Sequence, residues 1–267
     1  MIPISHLLKN DFLYGKFKKV IMDFAGKHHT INNISESEMN GYFALLSRIG
    51  KTESEIIYMK LGETIVKVES NIPLLISQLE KQLAFILVDD VEKYDKAFYI
   101  WKEDIKSILS VNVQNATSFT LNPKKADGSY LSFSLENETL EAYNAETGAL
   151  YLLYPNFDIE TIRRMGHIAA RQIYQLSKSS NQILVHSATV GVNDKGVLLS
   201  ARGGGGKSTL AISTMLNGFQ YVAEDYTILR KSAEGLFAYP VYSTMNLSPE
   251  MKEQMSGLKV NYMWNSW

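Results

Sequence analysis

The residues Ala201-Arg202-Gly203-Gly204-Gly205-Gly206-Lys207-Ser208 lie between Val197-Leu198-Leu199-Ser200, which has the composition of a buried-type strand, and Leu210-Ala211-Ile212 with Met215-Leu216, whose spacing predicts a helix. The pattern is that of a phosphate-binding loop, with Ala201 where glycine is commoner. Glycines lack a Cβ atom, so the main chain can take positive φ and its N–H groups can converge on phosphate oxygens. The helix starting at the loop's end aims its positive N-terminus at the same anion. Lys207 can reach the β- and γ-phosphates of a nucleotide, the Ser208 hydroxyl can coordinate Mg²⁺, and Thr209 is a candidate contact for the α-phosphate. Arg202, Gly203, Gly204, Gly205 and Gly206 complete the candidate nucleotide-binding set. A flexible glycine linker is the competing reading. It accords poorly with flanking strand and helix patterns, and each ordered glycine costs roughly 0.5–1 kcal/mol relative to alanine.

Outward from the loop, Ile183-Leu184-Val185-His186 and Ala188-Thr189-Val190-Gly191-Val192 read as strands. The polar turn Asn193-Asp194-Lys195-Gly196 joins the second to Val197-Leu198-Leu199, which predicts an antiparallel hairpin. Beyond the helix, Tyr221-Val222-Ala223 leads into Glu224-Asp225 and then Tyr226-Thr227-Ile228-Leu229. Alternation along a strand sends Glu224 and Asp225 to opposite sides, unless the strand ends or bulges there. One is a candidate metal ligand and the other a candidate proton acceptor, or one is structural. His186 closes a strand, where a lone histidine is more often structural than catalytic. His6, His28, His29 and His167 show no metal-ligand spacing.

Together, His186-Ser187-Ala188, the hairpin, the glycine loop and Tyr221-Val222-Ala223-Glu224-Asp225 resemble the catalytic region of the HPr serine kinase/phosphorylase family and its divergent relatives, over residues 183–231. The resemblance implies a phosphate-loop core related to that of ATP-dependent phosphoenolpyruvate carboxykinase, with ATP and Mg²⁺ as cofactors. It implies phosphoryl transfer to a serine hydroxyl of a protein or peptide. Lys207, Ser208 and Thr209 would hold nucleotide and metal, and Ser208 and Asp225 would face the Mg²⁺. Glu224 and Asp225 would supply the base, and His186 would help place that acid or the phosphoryl group. The family usually has two Asp where Glu224-Asp225 stand, and its later substrate-gripping segments would lie beyond Trp267. A small-molecule kinase and a nucleotide-binding interaction module without turnover are the other readings.

Residues 1–154 read as an α+β accessory region without a chemical signature, and Pro155-Asn156 suggests a division before a kinase-like segment 155–267. The expected fold class is α/β, with a mixed sheet carrying the loop in the C-terminal part. Residues 1–50 read as mostly helical, with Ser35 and Glu38 spaced as a capping box ahead of Met39, Phe43 and Leu46. Strands are expected at residues 56–59, 64–68 and 98–101, with a turn at Leu61-Gly62-Glu63 and a helix over 74–87 opened by Pro73. A second hairpin series covers 118–154, with turns at Glu136-Asn137-Glu138 and Glu146-Thr147-Gly148. Asp158 is placed as N-cap of one helix over 159–176, with Ile162, Met165, Ala169, Ile173 and Leu176 on one face and Arg163, Arg164 and Arg171 on a solvated one.

Among the 267 residues hydrophobic types make up 45% and charged types 21%, which argues against a disordered chain. Lys+Arg number 27 against 28 Asp+Glu, so no overall field draws the chain to nucleic acid or anionic lipid. Apolar runs such as Leu83-Ala84-Phe85-Ile86-Leu87-Val88 fall far short of the ~20 residues of a membrane helix. The start Met1-Ile2-Pro3-Ile4-Ser5-His6 lacks signal-peptide character, so a cytoplasmic location is expected. With no cysteine, disulfides and thiolate metal sites are excluded.

Overall fold

The computed structural model describes residues 29–49, 53–89, 91–104, 118–123, 128–134, 138–161, 166–245 and 253. The fold is α/β, and the chain divides into two compact units, one of residues 1–80 with 87–176 and one of 81–86 with 177–267. No helix among the described residues is long and apolar enough to cross a membrane.

The first unit is built on a nine-stranded sheet. Its strands in chain order are β1 (His29–Ile34), β2 (Glu55–Leu61), β3 (Thr64–Ser70), β4 (Leu87–Val88), β5 (Lys96–Lys102), β6 (Ser118–Pro123), β7 (Tyr130–Ser134), β8 (Thr139–Asn144) and β9 (Ala149–Tyr154). They lie in the order β1-β6-β7-β8-β9-β5-β3-β2-β4. The sheet is mixed, because β1–β6, β3–β5 and β5–β9 pair in parallel while the hairpin-linked strands pair antiparallel. Gly62 takes φ 64° in the two-residue loop that closes Leu61 onto Thr64, so the expected turn falls where a residue without a Cβ allows it. Gly148, with φ 67°, ends the turn into β9.

Helix α1 (Glu36–Leu46) begins at the expected capping box. The Ser35 hydroxyl accepts from the Glu38 amide, and a Glu38 carboxylate oxygen accepts from the Ser35 amide at 3.0 Å. Met39, Phe43 and Leu46 then bury one helical face in a core shared with Trp101, Leu131, Phe133 and Leu153. Helix α2 (Pro73–Gln82) starts at the proline as expected and is shorter than the predicted 74–87, since Leu87 and Val88 are drawn into sheet pairing as β4.

Two helical expectations are corrected. Within residues 1–50, expected to be mostly helical, residues 29–34 form the strand β1 ahead of α1; residues 1–28 lie outside the described residues. Residues 159–176 are not one helix. Asp158 does cap a helical start, its carboxylate accepting from the Thr161 amide at 2.8 Å. Gly166 and Ala169 then take positive φ, which no continuous right-handed helix admits, and α3 (Ala170–Ser177) starts afresh. Ile162, Arg163, Arg164 and Met165 lie outside the described residues, as do Asn137 and residues 254–267.

The first unit reaches residue 176, beyond the division suggested at Pro155-Asn156. A buried carboxylate accounts for this. Glu141, on β8, accepts from the Tyr130 hydroxyl at 2.6 Å, from Arg171 at 3.2 Å and from the Gln172 amide at 2.5 Å, so α3 is hydrogen-bonded to the sheet. Arg171 stays mostly in water, as expected, while its head group meets Glu141.

The second unit holds two three-stranded sheets. One, in the order β10-β14-β15, contains β10 (Gln182–His186), β14 (Tyr226–Ser232) and β15 (Gly235–Pro240). The other, in the order β12-β11-β13, contains β11 (Ala188–Val192), β12 (Lys195–Leu199) and β13 (Gln220–Ala223). Helix α4 (Lys207–Leu216) connects β12 to β13. Neighbouring strands here are all antiparallel, so the mixed sheet expected in this part of the chain lies instead in the first unit. Tight turns join β11 to β12 and β14 to β15, which fixes those two pairs as antiparallel. The β11–β12 turn is tighter than expected: Val192 pairs with Lys195, and Asn193 and Asp194 both take positive φ, the conformation of a type I′ loop. β12 is also not a buried strand. Among the described residues it has a sheet neighbour on one side only, and Val197 is 59% exposed.

Replacing Glu141 by alanine strands the Tyr130 hydroxyl and the Gln172 amide. It should lower unfolding free energy by about 2–3 kcal/mol, whereas Arg171→Ala should cost under about 1 kcal/mol. Urea melts of the two variants check the ranking. Alkali should also unfold the protein. Burial, then the neighbouring Tyr99, pushes the Tyr151 hydroxyl from 10.0 up to about 12, and burial with the Glu141 charge pushes Tyr130 and Tyr154 up as well. The unfolded chain ionises these groups first, so stability present below pH 10 is lost as pH climbs from 10 through 12. Absorbance at the tyrosinate band should rise together with loss of circular dichroism over that range.

Candidate functional site

Strand register brings the candidate residues to one end of the sheet β12-β11-β13. Leu199, the last residue of β12, pairs with Ala188, the first of β11, and Thr189 pairs with Ala223, the last of β13. The glycine loop leaving β12 and the acidic pair leaving β13 therefore start at the same sheet end, two strand spacings or roughly 10 Å apart. His186 arrives there too, at the close of β10 and two residues before Ala188. β12 and β13 run parallel to each other on either side of β11, linked by α4, which packs Ala211 against Ala188 and Val190.

Residues 201–206 are exposed and form the turn into α4. Gly206 is the N-cap at φ 83°, ψ 11°, a left-handed conformation that side chains strain to adopt. Gly205 is constrained by space instead: a Cβ there would lie 2.7 Å from the Ala201 methyl and 2.9 Å from the Arg202 carbonyl oxygen. The Gly205 amide donates to that same carbonyl at 3.0 Å, folding the loop tightly. No side chain caps α4, and its first main-chain bond runs from the Leu210 amide to the Gly206 carbonyl. Among the described residues, the amides of Gly206, Lys207, Ser208 and Thr209 meet no main-chain acceptor, as expected for the first turn of an uncapped helix. Lys207 is buried, and its ammonium donates to the Ala201 carbonyl across the loop at 3.2 Å. Ser208 is half-buried, and Arg202 and Thr209 are exposed.

At the other side of this sheet end, β13 stops at Ala223 and β14 starts at Tyr226, so Glu224 and Asp225 occupy the break rather than a continuous strand. The Tyr226 amide donates to the Glu224 carbonyl at 2.7 Å, a three-residue turn with Asp225 at its centre and φ 60°. The two carboxylates separate by environment. Glu224 is 2% exposed, while the Asp225 side chain is 22% exposed and meets His186 Nε2 at 3.4 Å. His186 stacks on Tyr226, with ring centroids 5.7 Å apart. His186 and Asp225 are thus in direct contact, whereas Lys207 makes its bond within its own loop.

Sequence reading passed over the residues that tie this end together. The Ser187 amide donates to the Asp225 carbonyl at 3.0 Å. Thr189 and Thr227 share a hydroxyl–hydroxyl bond of 2.9 Å, and Thr227 also reaches the Ser187 carbonyl at 3.3 Å. Tyr221 lies near the pair: burial, then the charges of Glu224 and Asp225, push its hydroxyl far up. The Ser187 and Tyr221 hydroxyls are sealed from solvent with no hydrogen-bond partner among the described residues. Hydroxyl residues are common in strands, so Ser187 and Tyr221 stand within the quoted motif without a role of their own, and Thr189 and Thr227 have proximity to His186 and Glu224-Asp225 as their sequence signal.

Among the described residues no three His, Cys, Asp or Glu side chains gather as a metal-binding group. Compared with protein-family models and with curated proteins, the chain matches none.

The loop geometry makes a mutational prediction. Gly206→Ala forces a side chain into the left-handed region and should cost roughly 1–2 kcal/mol. Gly203→Ala, at a residue with negative φ and open space around its Cα, should cost less. Thermal melts of both variants test the ordering.

Proposed function

We propose that the chain is an ATP- and Mg²⁺-dependent phosphotransferase acting on a hydroxyl, most readily a serine of a protein or peptide, in the manner of the HPr kinase-like proteins it resembles. The observation that carries this reading is the uncapped start of α4, with a buried lysine in an exposed glycine loop, at the same sheet end as Asp225 and His186. Helix-start amides and an ammonium are the donor set that a polyphosphate requires.

In this reading the amides of residues 206–209 and the Lys207 ammonium bind the phosphates, with Lys207 exchanging its Ala201 contact for phosphate oxygens. Arg202 lies exposed beside them. Ser208 and Asp225 would hold Mg²⁺, which commonly takes one or two protein oxygens together with phosphate oxygens and water. When bound, the ion supplies neutralisation of phosphate charge. Asp225, the accessible member of the acidic pair, accepts the proton of the attacking hydroxyl. Its main chain is fixed by Ser187, and His186 holds its carboxylate. The hydroxyl oxygen bonds to the γ-phosphorus as the bond from that phosphorus to the β,γ-bridging oxygen breaks, leaving ADP and a phosphate ester. Glu224, buried behind the turn, contributes charge rather than contact with the acceptor. Positioning and charge stabilisation dominate catalysis of this kind.

The burial of Glu224 also favours a second reading, a nucleotide-binding module without turnover. A small-molecule acceptor in place of a peptide leaves the same residues in the same roles.

Calorimetry with Mg-ATP should register binding in the wild type and none in Lys207→Ala, with both melting as folded proteins. Incubation with Mg-ATP and soluble extract should give phosphorylated species by intact mass. Asp225→Asn should keep nucleotide binding and lose about 10²–10⁴-fold in transfer. Binding without any transfer to proteins or metabolites leaves the non-catalytic reading standing. Absence of heat with both ATP and GTP would falsify nucleotide binding altogether.

A further inference from the structure

The outer edge of the large sheet carries a second feature, independent of the phosphate reading. β4 is only two residues long and covers β2 at Tyr58 and Met59 alone. Past the end of β4, residues 55–57 of β2 have β3 on one side and no strand on the other among the described residues. The Leu61–Thr64 pair closing the two-residue loop is a hydrogen-bonded one, so alternation turns the main-chain groups of Ile57 and Met59 toward β3. Those of Ile56 and Tyr58 turn toward the outer edge. Tyr58 pairs with Val88, but Ile56 presents its N–H and C=O outward.

A cavity of about 630 Å³ lies there, lined by Ile56, Ile57, Tyr58, Glu80, Leu87, Val88 and Asp89. Its composition is specific. Ile56 is 46% exposed and gives an apolar wall with Val88. The two ionisable carboxylates in the lining, Glu80 from α2 and Asp89 just after β4, are both exposed, and no cation lines the cavity. Among the described residues neither carboxylate forms an ion pair.

The geometry points to a docking site for a basic, extended peptide segment that adds a short strand to β2 beyond the end of β4. Ile56 supplies main-chain hydrogen bonds, an apolar side chain of the peptide lies on Ile56 and Val88, and a Lys or Arg beside it meets Glu80 and Asp89. Strand addition draws affinity from main-chain bonds and specificity from alternate side chains. An unpaired edge segment of this kind is ordinarily blocked by a cation or proline, and residues 55–57 have neither.

The probes are a fluorescein-labelled acetyl-Lys-Val-Arg-Val-Lys-Val-amide, its counterpart with Glu at the basic positions, and a copy of the basic peptide N-methylated at alternate residues. Anisotropy titrations use the full chain at low salt without nucleotide. The basic peptide should bind at least about tenfold tighter than the acidic one. The double variant Glu80→Lys, Asp89→Lys should invert that order while melting like the wild type, since both residues are exposed. N-methylation should abolish binding, and deuterium uptake should slow at the Ile56 amide. Equal binding of the N-methylated peptide, which would mark attraction by charge alone, overturns the proposal. So does an unchanged preference in the double variant, protection away from β2, or no binding by any peptide.

Discussion

The second unit depends on one point where the chain changes sheets twice. β10 passes to β11 at Ser187, and β13 passes to β14 across Glu224 and Asp225. The two crossings are fastened to each other by the Ser187 amide on the Asp225 carbonyl and by the Thr189–Thr227 hydroxyl pair. Buried main-chain polar groups must find partners. A strand that leaves one sheet for another loses ladder bonds at the crossing, and here each crossing supplies a partner to the other. His186 and Asp225 are neighbours as a result, and their contact follows from how the sheets are joined.

Strain at the same sheet end is placed where main-chain groups are useful. Asp225 holds a positive φ that costs of order 1–3 kcal/mol for a residue other than glycine. The gain is that its carboxylate leaves the strand plane, partly exposed, while Glu224 stays inside. On the loop side glycines absorb the equivalent demand: Gly206 takes the left-handed N-cap without a Cβ, and Gly205 leaves room for the Ala201 methyl.

Local chemistry was the legible part of this sequence. The Ser35–Glu38 box, the turn at Gly62, the start at Pro73, the Asp158 cap and the β11–β12 hairpin each rest on a few adjacent residues, and each is present. What depends on distant partners was not legible. Leu87 and Val88 look like the end of a helix until β2 is beside them, and the buried Glu141 that binds α3 to the first unit lies far from Arg171 and Gln172 in the chain. The apolar run of β12 suggested burial, yet its position in the strand order leaves it exposed. For the candidate site, the order His186, loop, acidic pair was readable. The turn that sets Asp225 apart from Glu224 was not, because strand alternation carries no sign of where a strand will stop.

The parallel pair of strands flanking β11 has a kinetic meaning. β11 and β12 close over two residues, so their pairing costs little chain entropy, whereas joining β13 to β11 closes the whole span from Thr189 to Ala223. Loop-closure entropy grows with the length enclosed, so most of it is charged to the second event. A chain that has emerged only as far as the glycines has the first pairing within reach, while Glu224 and Asp225 are not yet free to join it. The arrival of the glycine loop and the acidic pair at one sheet end is thus a late product of assembly.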